Sequence, residues 1–270
     1  MGDLTKTLLH PVVSRPLMLE IPNGSVGKHS SVNKFGRTTN ADTGVATDIW
    51  DRANATQDQD VWVAPTVARV HNVVSADAND TSAGAGGTGA RTMRVFGLTS
   101  WTAAEVSEDI SLLGATPVAT ANAYVIIHRM RMLTWGTAGP NVGLITATAV
   151  TDASVTAQVN AMEGQTQMAI YGWPSTKVAY VTGYYASVLK SGGAAAVDMS
   201  LRLNPIPDSQ VAKFIVKHTL GLQTTGTSKW RHIFEPYVRF AGPAILKVQA
   251  VSSALNVDVS AGFDLILVDA

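Results

Sequence analysis

Twelve short runs rich in β-branched and aromatic residues follow one another between residues 66 and 268. Each is closed by a cluster of Gly, Pro, Asn, Asp or Ser, such as GTAGPN (136–141), KSGG (190–193), NPIPD (204–208) and TTGTS (224–228). The runs are 66–74, 92–96, 105–113, 123–133, 143–150, 165–171, 177–189, 197–203, 211–220, 230–240, 245–251 and 257–268. Alternation is plainest in 105–113. There Val106, Glu108, Ile110 and Leu112 share one parity, and Glu105, Ser107, Asp109 and Ser111 the other. A period of two sends successive side chains to opposite sheet faces. Residues 209–220 also fit a helical spacing, but they alternate as well, and the strand is favoured; 139–164 has room for one short helix. Too little helix remains to layer between strands, so the expected class is all-β, an antiparallel β-sandwich or barrel. Twelve strands fit one large sandwich or two smaller packed units.

Residues 1–60 carry no sustained period. They hold Pro11, Pro16 and Pro22 among many Gly, Ser, Asn and Thr residues, and Gln57-Asp58-Gln59-Asp60 reads as a polar spacer. Such a segment cannot build its own core. The expectation is an extended N-terminal arm (1–60) ahead of a β-sandwich domain (61–270). The arm is either a flexible terminus or a segment that orders against a partner. In the second case Leu17, Met18, Phe35 and Trp50 are its apolar anchors.

The balance of charge narrows the partners. Twenty Lys and Arg offset twenty Asp and Glu, and charged residues make up only 15% of the chain. The basic footprint of a nucleic-acid or acidic-membrane binder is missing, so neither partner is expected. Low charge with many small residues suits surfaces that end against other protein. With no cysteine, disulfides, thiolate metal sites and cysteine nucleophiles drop out. The first residues, MGDLTKTLLHPVV, lack the pattern of a signal peptide, and Lys6 stands where myristoylation needs Ser or Thr. No apolar run approaches the ~20 residues that span a bilayer as a helix.

One stretch imitates chemistry. Gly84-Ala85-Gly86-Gly87-Thr88-Gly89 fits the dinucleotide pattern G-x-G-x-x-G. That pattern works only when a helix follows and turns its N-terminus to the pyrophosphate. Here Arg91 to Phe96 reads as a strand, so residues 82–89 are expected to be an exposed connection without a ligand. No cofactor is expected. The six histidines form no ligand spacing, and Asp77-Ala78-Asn79-Asp80 starts like a calcium loop but lacks its later Gly and Glu. A surface turn is the better reading. Glu105 and Glu108 differ by an odd number and face opposite sides of a strand, so they form no carboxylate pair. No G-x-S-x-G elbow is present. No catalytic residue emerges, and the expectation is a non-enzyme. Trp101, Trp135 and Trp173 flank turns, where they either stack sugars or cap the core. Arg129 and Arg131 share one strand face, which reads as a solvated or interface face.

Further motifs carry a resemblance. Asn79-Asp80-Thr81, the glycine loop through Thr92, Gly97-Leu98, Glu108, Leu112 and Gly114 form one block. Pro174, Phe234-Glu235-Pro236-Tyr237, Gly242-Pro243 and Val259-Ser260-Ala261-Gly262-Phe263-Asp264-Leu265-Ile266-Leu267 form another. Together, over residues 66–270, they resemble virion proteins of tailed phages; Ala244-Ile245-Leu246 departs from the Thr-Asp-Ile common there. The resemblance implies a jelly-roll-like β-sandwich that acts as a capsid decoration or cement protein. It further implies a homotrimer seated on the major capsid protein, on the capsid exterior, made in the host cytoplasm. The alternative is a receptor- or glycan-binding module of a tail fibre or spike, using exposed aromatics such as Trp101 or Trp173. A depolymerase is the third reading and has no legible carboxylate pair.

Overall fold

The computed structural model describes residues 17–56, 59–209 and 213–270. After a four-residue helix, α1 (Leu17–Glu20), come β1 (His29–Ala41) and β2 (Ala46–Asp48). Next are β3 (His71–Ser75), β4 (Ala90–Leu98), β5 (Val106–Ser111), β6 (Val118–Ala119), β7 (Ile126–Trp135), β8 (Ile145–Ala149) and β9 (Val155–Val159). The chain closes with β10 (Ile170–Trp173), β11 (Lys177–Leu189), β12 (Ala196–Asn204), β13 (Ile215–Gln223), β14 (Lys229–Ala241), β15 (Ala244–Ser252) and β16 (Val257–Asp269). All strand-to-strand pairings are antiparallel.

Eight long-range strands make a sandwich of two facing sheets. One sheet runs β1-β16-β11-β14 and the other β10-β15-β12-β13, with β2 also pairing β15. Counted in chain order within these eight, the sheets read first-eighth-third-sixth and second-seventh-fourth-fifth. That is the double Greek key of a jelly roll. Val181, Tyr184, Ala186, Met199, Leu201, Leu246, Val248, Phe263 and Leu265 fill the space between the sheets.

Residues 71–159 are an insertion between β1/β2 and β10. They form two further sheets, β6-β3-β8-β9 and β5-β4-β7. Their core centres on Met93, Val95, Tyr124, Ile126, Met130 and Ile145, and it is completed by Trp50, Trp62, Met168 and Ile245 from outside the insertion. Strand β15 is therefore covered on both faces. Ala244, Leu246, Val248 and Ala250 point into the jelly-roll core, and Ile245 points into the second core. The same second face carries Lys247 and Gln249, both buried.

This corrects the reading of residues 1–60 as an arm. From His29 onward the segment is structural. β1 pairs with β16 from His29↔Val268 to Ala41↔Val257, and β2 pairs with β15. Trp50 is fully buried in the second core, which leaves it no surface to offer a partner. Phe35 lies half-buried on β1 opposite Gly262. Leu17 and Met18 fall in α1, and their side chains lie outside the described residues, as do Gln57 and Asp58 of the expected spacer. Residues 139–164 hold β8 and β9, not a helix.

Candidate interaction surface

The two edges of the jelly roll are built from opposite chemistries. At one edge β1 and β10 meet the insertion, and polar groups are buried there in pairs. Lys34 on β1 donates to the carbonyl oxygen of His128 on β7. His128 is buried, with its Nε2 2.8 Å from Glu105 Oε2 though without hydrogen-bond alignment. Tyr171 on β10 donates to the same Glu105 oxygen at 3.1 Å, and its ring lies 4.5 Å from the His128 ring. Burial, reinforced by the nearby Arg129 charge, lowers the Lys34 pKa to about 7. Burial also lowers that of His128 against the pull of Glu105. For Glu105 burial acts upward, but the nearby His128 and the Tyr171 hydrogen bond outweigh it and hold the carboxyl below its usual range. The four groups flank a cleft of about 410 Å³.

A second buried pair ties β15 to β2. Lys247 Nζ lies 2.6 Å from Asp48 Oδ2, and both side chains are almost fully buried. Asp48 also accepts from Gln249 Nε2 at 2.8 Å and from the Trp62 amide at 2.9 Å. Lys247 completes its surroundings with the Phe214 ring, 4.1 Å away. Both Asp48 oxygens thus have donors, which offsets the cost of burying the charge. Sequence reasoning missed both clusters, because the bonds that tie them join residues 66 to 199 positions apart, with no local spacing to mark them.

The opposite edge is open. There β13 and β14 are the last strands of their sheets. Residues directly across an antiparallel pair share a face. Trp230 stands opposite core residue Ala186, and Ile215 opposite core residue Leu203. Both thus face inward, yet Trp230 is 54% exposed and Ile215 49%. Between these two positions the mouth is packed: Leu222 is buried in the jelly-roll core, and Leu220, Val238 and Phe240 pack against it. His218 and His232 stack at 4.1 Å, the Tyr184 hydroxyl lies 2.7 Å from His218 Nδ1, and Phe234 backs them. Val216, Ile233 and Tyr237 add exposed apolar surface.

Charge is concentrated on the same hairpin. Residues 213–241 contain Lys213, Lys217, Lys229, Arg231 and Arg239 against Glu235 alone, net +4 in a chain whose totals balance. Arg231 reaches Asp264 at 3.7 Å, and Asp198 sits opposite Gly221 on β12. The local imbalance was available in the sequence, but a net charge of zero averages it away.

The motifs singled out in the sequence resolve as scaffolding. Asp80 is fully buried. Its carboxylate accepts from the amides of Ala90, Val142 and Gly143, each at 2.8 Å, and from Ser75 Oγ at 2.6 Å. The surface-turn reading of Asp77 to Asp80 is corrected at this residue: Asp80 pins the glycine loop to the insertion. A Cβ on Gly89 would stand 2.1 Å from Asp80 Oδ1, which explains the last glycine of G-x-G-x-x-G. Residues 83–85 at the loop tip are exposed, and strand β4 follows where a nucleotide fold needs a helix. Glu105 and Glu108 do diverge. Glu105 meets Tyr171, and Glu108 accepts from the amides of Ala121 and Asn122. Trp173 is fully buried in the jelly-roll core and is removed from the sugar-stacking candidates. Trp101 is partly buried, and Trp135 is 51% exposed.

No family model matches the chain, and no curated protein matches it. Among solved structures, it is similar to one of infectious bursal disease virus Gt strain. That match has 10% identity and a TM-score of 0.25, over 94% of this chain and 78% of that one. A second, the infectious bursal disease virus VP2 subviral particle, matches with 10% identity and a TM-score of 0.20, over 92% of this chain and 73% of that one. At those scores the fold assignment rests on the strand order of the chain itself.

Proposed function

We propose that this protein is a non-enzymatic structural component of a phage virion, one that decorates and stabilises the capsid through protein–protein contacts. The observation that carries the reading is the unclosed β13–β14 edge. A jelly roll able to bury Trp173 completely still leaves inward-facing Trp230 and Ile215 half in solvent. Exposed apolar side chains beside free strand edges are the mark of an association surface. The motif resemblance over residues 66–270 supplies the setting: the major capsid protein as partner, a homotrimer as the assembled unit, and the capsid exterior as the location. The Lys34–His128–Glu105–Tyr171 cluster fits this reading as an internal lock. Lys34 and His128 are buried, and each meets the other unit: Lys34 donates to the His128 carbonyl, and the His128 ring lies against Tyr171.

Copy number in purified particles tests the proposal. Quantitative mass spectrometry against the major capsid protein is expected to give hundreds of copies per particle. A handful would point to a fibre or spike and contradict the decoration role.

A further inference from the structure

We propose that the β13–β14 edge receives an acidic, extended segment of a neighbouring protein, which adds to β13 as a further strand. Three features of the edge select this occupant. The first is main-chain geometry. β13 runs nine residues, Ile215–Gln223, without proline, and its edge away from β12 has no strand beside it. β14 carries Pro236, which cannot donate to a ladder, so an added strand fits β13 and not the middle of β14. The second is side-chain space. Alternate residues of an added strand would point into the mouth, against Ile215, Leu220 and Trp230, and close it. The third is charge. Lys213, Lys217, Lys229, Arg231 and Arg239 are all exposed on these two strands or beside them, with Glu235 the single acid on the hairpin, and Lys217 reaches over the Phe240 ring at 5.5 Å. Lysines on an edge strand repel like-charged strands. A second copy presenting this same basic edge is thereby rejected, and an acidic strand is drawn in.

The inference deepens the virion reading and rests on it for where such a segment is met. Its test uses the intact protein alone. The probe is a nine-residue peptide alternating valine and glutamate, compared with valine–lysine and serine–glutamate versions. Binding is followed by calorimetry and by hydrogen exchange of residues 215–223. The valine–glutamate peptide is expected to protect those amides and to bind at least tenfold more tightly than either control. The double variant Lys217→Glu/Arg239→Glu should reverse the preference toward the lysine peptide. Equal binding of the lysine peptide overturns the proposal. So does equal binding of the serine peptide, which would reduce the edge to plain charge attraction. Tighter binding of a single-stranded oligonucleotide of equal charge also overturns it, in favour of a polyanion site. Particle copy number is measured separately. Hundreds of copies with no peptide preference refutes only the edge, whereas a handful refutes only the decoration role.

Discussion

The jelly roll has two edges made of the same backbone, and only one is finished. At the β1/β10 edge the insertion lies against the sandwich, and even charged groups are sealed in pairs: Lys34 with the His128 carbonyl, Lys247 with Asp48. At the β13/β14 edge no strand of the described residues pairs with the outer side, and Trp230 and Ile215, aimed inward, stay half exposed. Sealing costs desolvation of charge, which is tolerable only when each group is fully partnered. Leaving an edge open forgoes the burial of two large side chains, worth roughly 1.5–3 kcal/mol each when complete. A fold that closes one side with the insertion of residues 71–159 and leaves two large side chains uncovered on the other concentrates its free apolar surface there.

Substitutions should respond to this asymmetry. The largest effect is expected at the closed edge. Asp48→Ala strands the buried Lys247 ammonium and should cost about 3–5 kcal/mol in urea unfolding. Phe234→Ala, in the packed part of the open edge, should cost a similar or slightly smaller amount, about 3 kcal/mol, by the cavity it leaves. Gly36→Ala comes next. A Cβ there would lie 2.4 Å from Ile49 O and 2.5 Å from Ala169 N, both backbone atoms that cannot step aside. The expected loss is about 1–3 kcal/mol, with β1 pushed off its neighbours. Trp230→Ala, two residues from His232 and four from Phe234 on the same strand, should change stability by less than about 1 kcal/mol while abolishing partner binding. If Trp230→Ala proved as costly as Phe234→Ala, the edge would not be open.

The pH dependence sharpens the closed side. Folded Lys34 loses its proton near pH 7, pulled down by burial, while the unfolded chain holds it to about 10.5. Between those values the unfolded state binds more protons, so stability should rise with pH from about 7 to 10.5 and be flat in this respect below 7. Lys34→Met should remove that slope. An unchanged slope in the variant would show that Lys34 is not the buried titrating group.

The all-β class and most strands could be read in the sequence because their apolar residues alternate. β11 (Lys177–Leu189) coincides with its expected run, and β12, β14, β15 and β16 lie within one residue at each end. β1 could not be read, for a physical reason. Of its five buried positions only Ala41 joins the apolar core; the others are Lys34, Gly36, Thr38 and Asn40, polar or without a side chain. A pattern search keyed to hydrophobic alternation passes over such a strand. β9 was hidden likewise, with Thr156 and Gln158 buried inside it. The open edge misled in the opposite direction. Its alternation was legible, but nothing local said that inward-facing Trp230 would lack a cover, because that depends on how far the facing sheet extends.

Native-state hydrogen exchange on the free protein tests the asymmetry most directly. It compares the ladder amides of β1 (residues 32–38, bonded to β16) with those of β13 (residues 215–222, bonded to β12). Local opening follows the packing above each strand. The account predicts that the β1 amides exchange only with global unfolding, and that the β13 amides exchange through a smaller opening of lower free energy. Equal protection of the two strands, or stronger protection of β13, would contradict it.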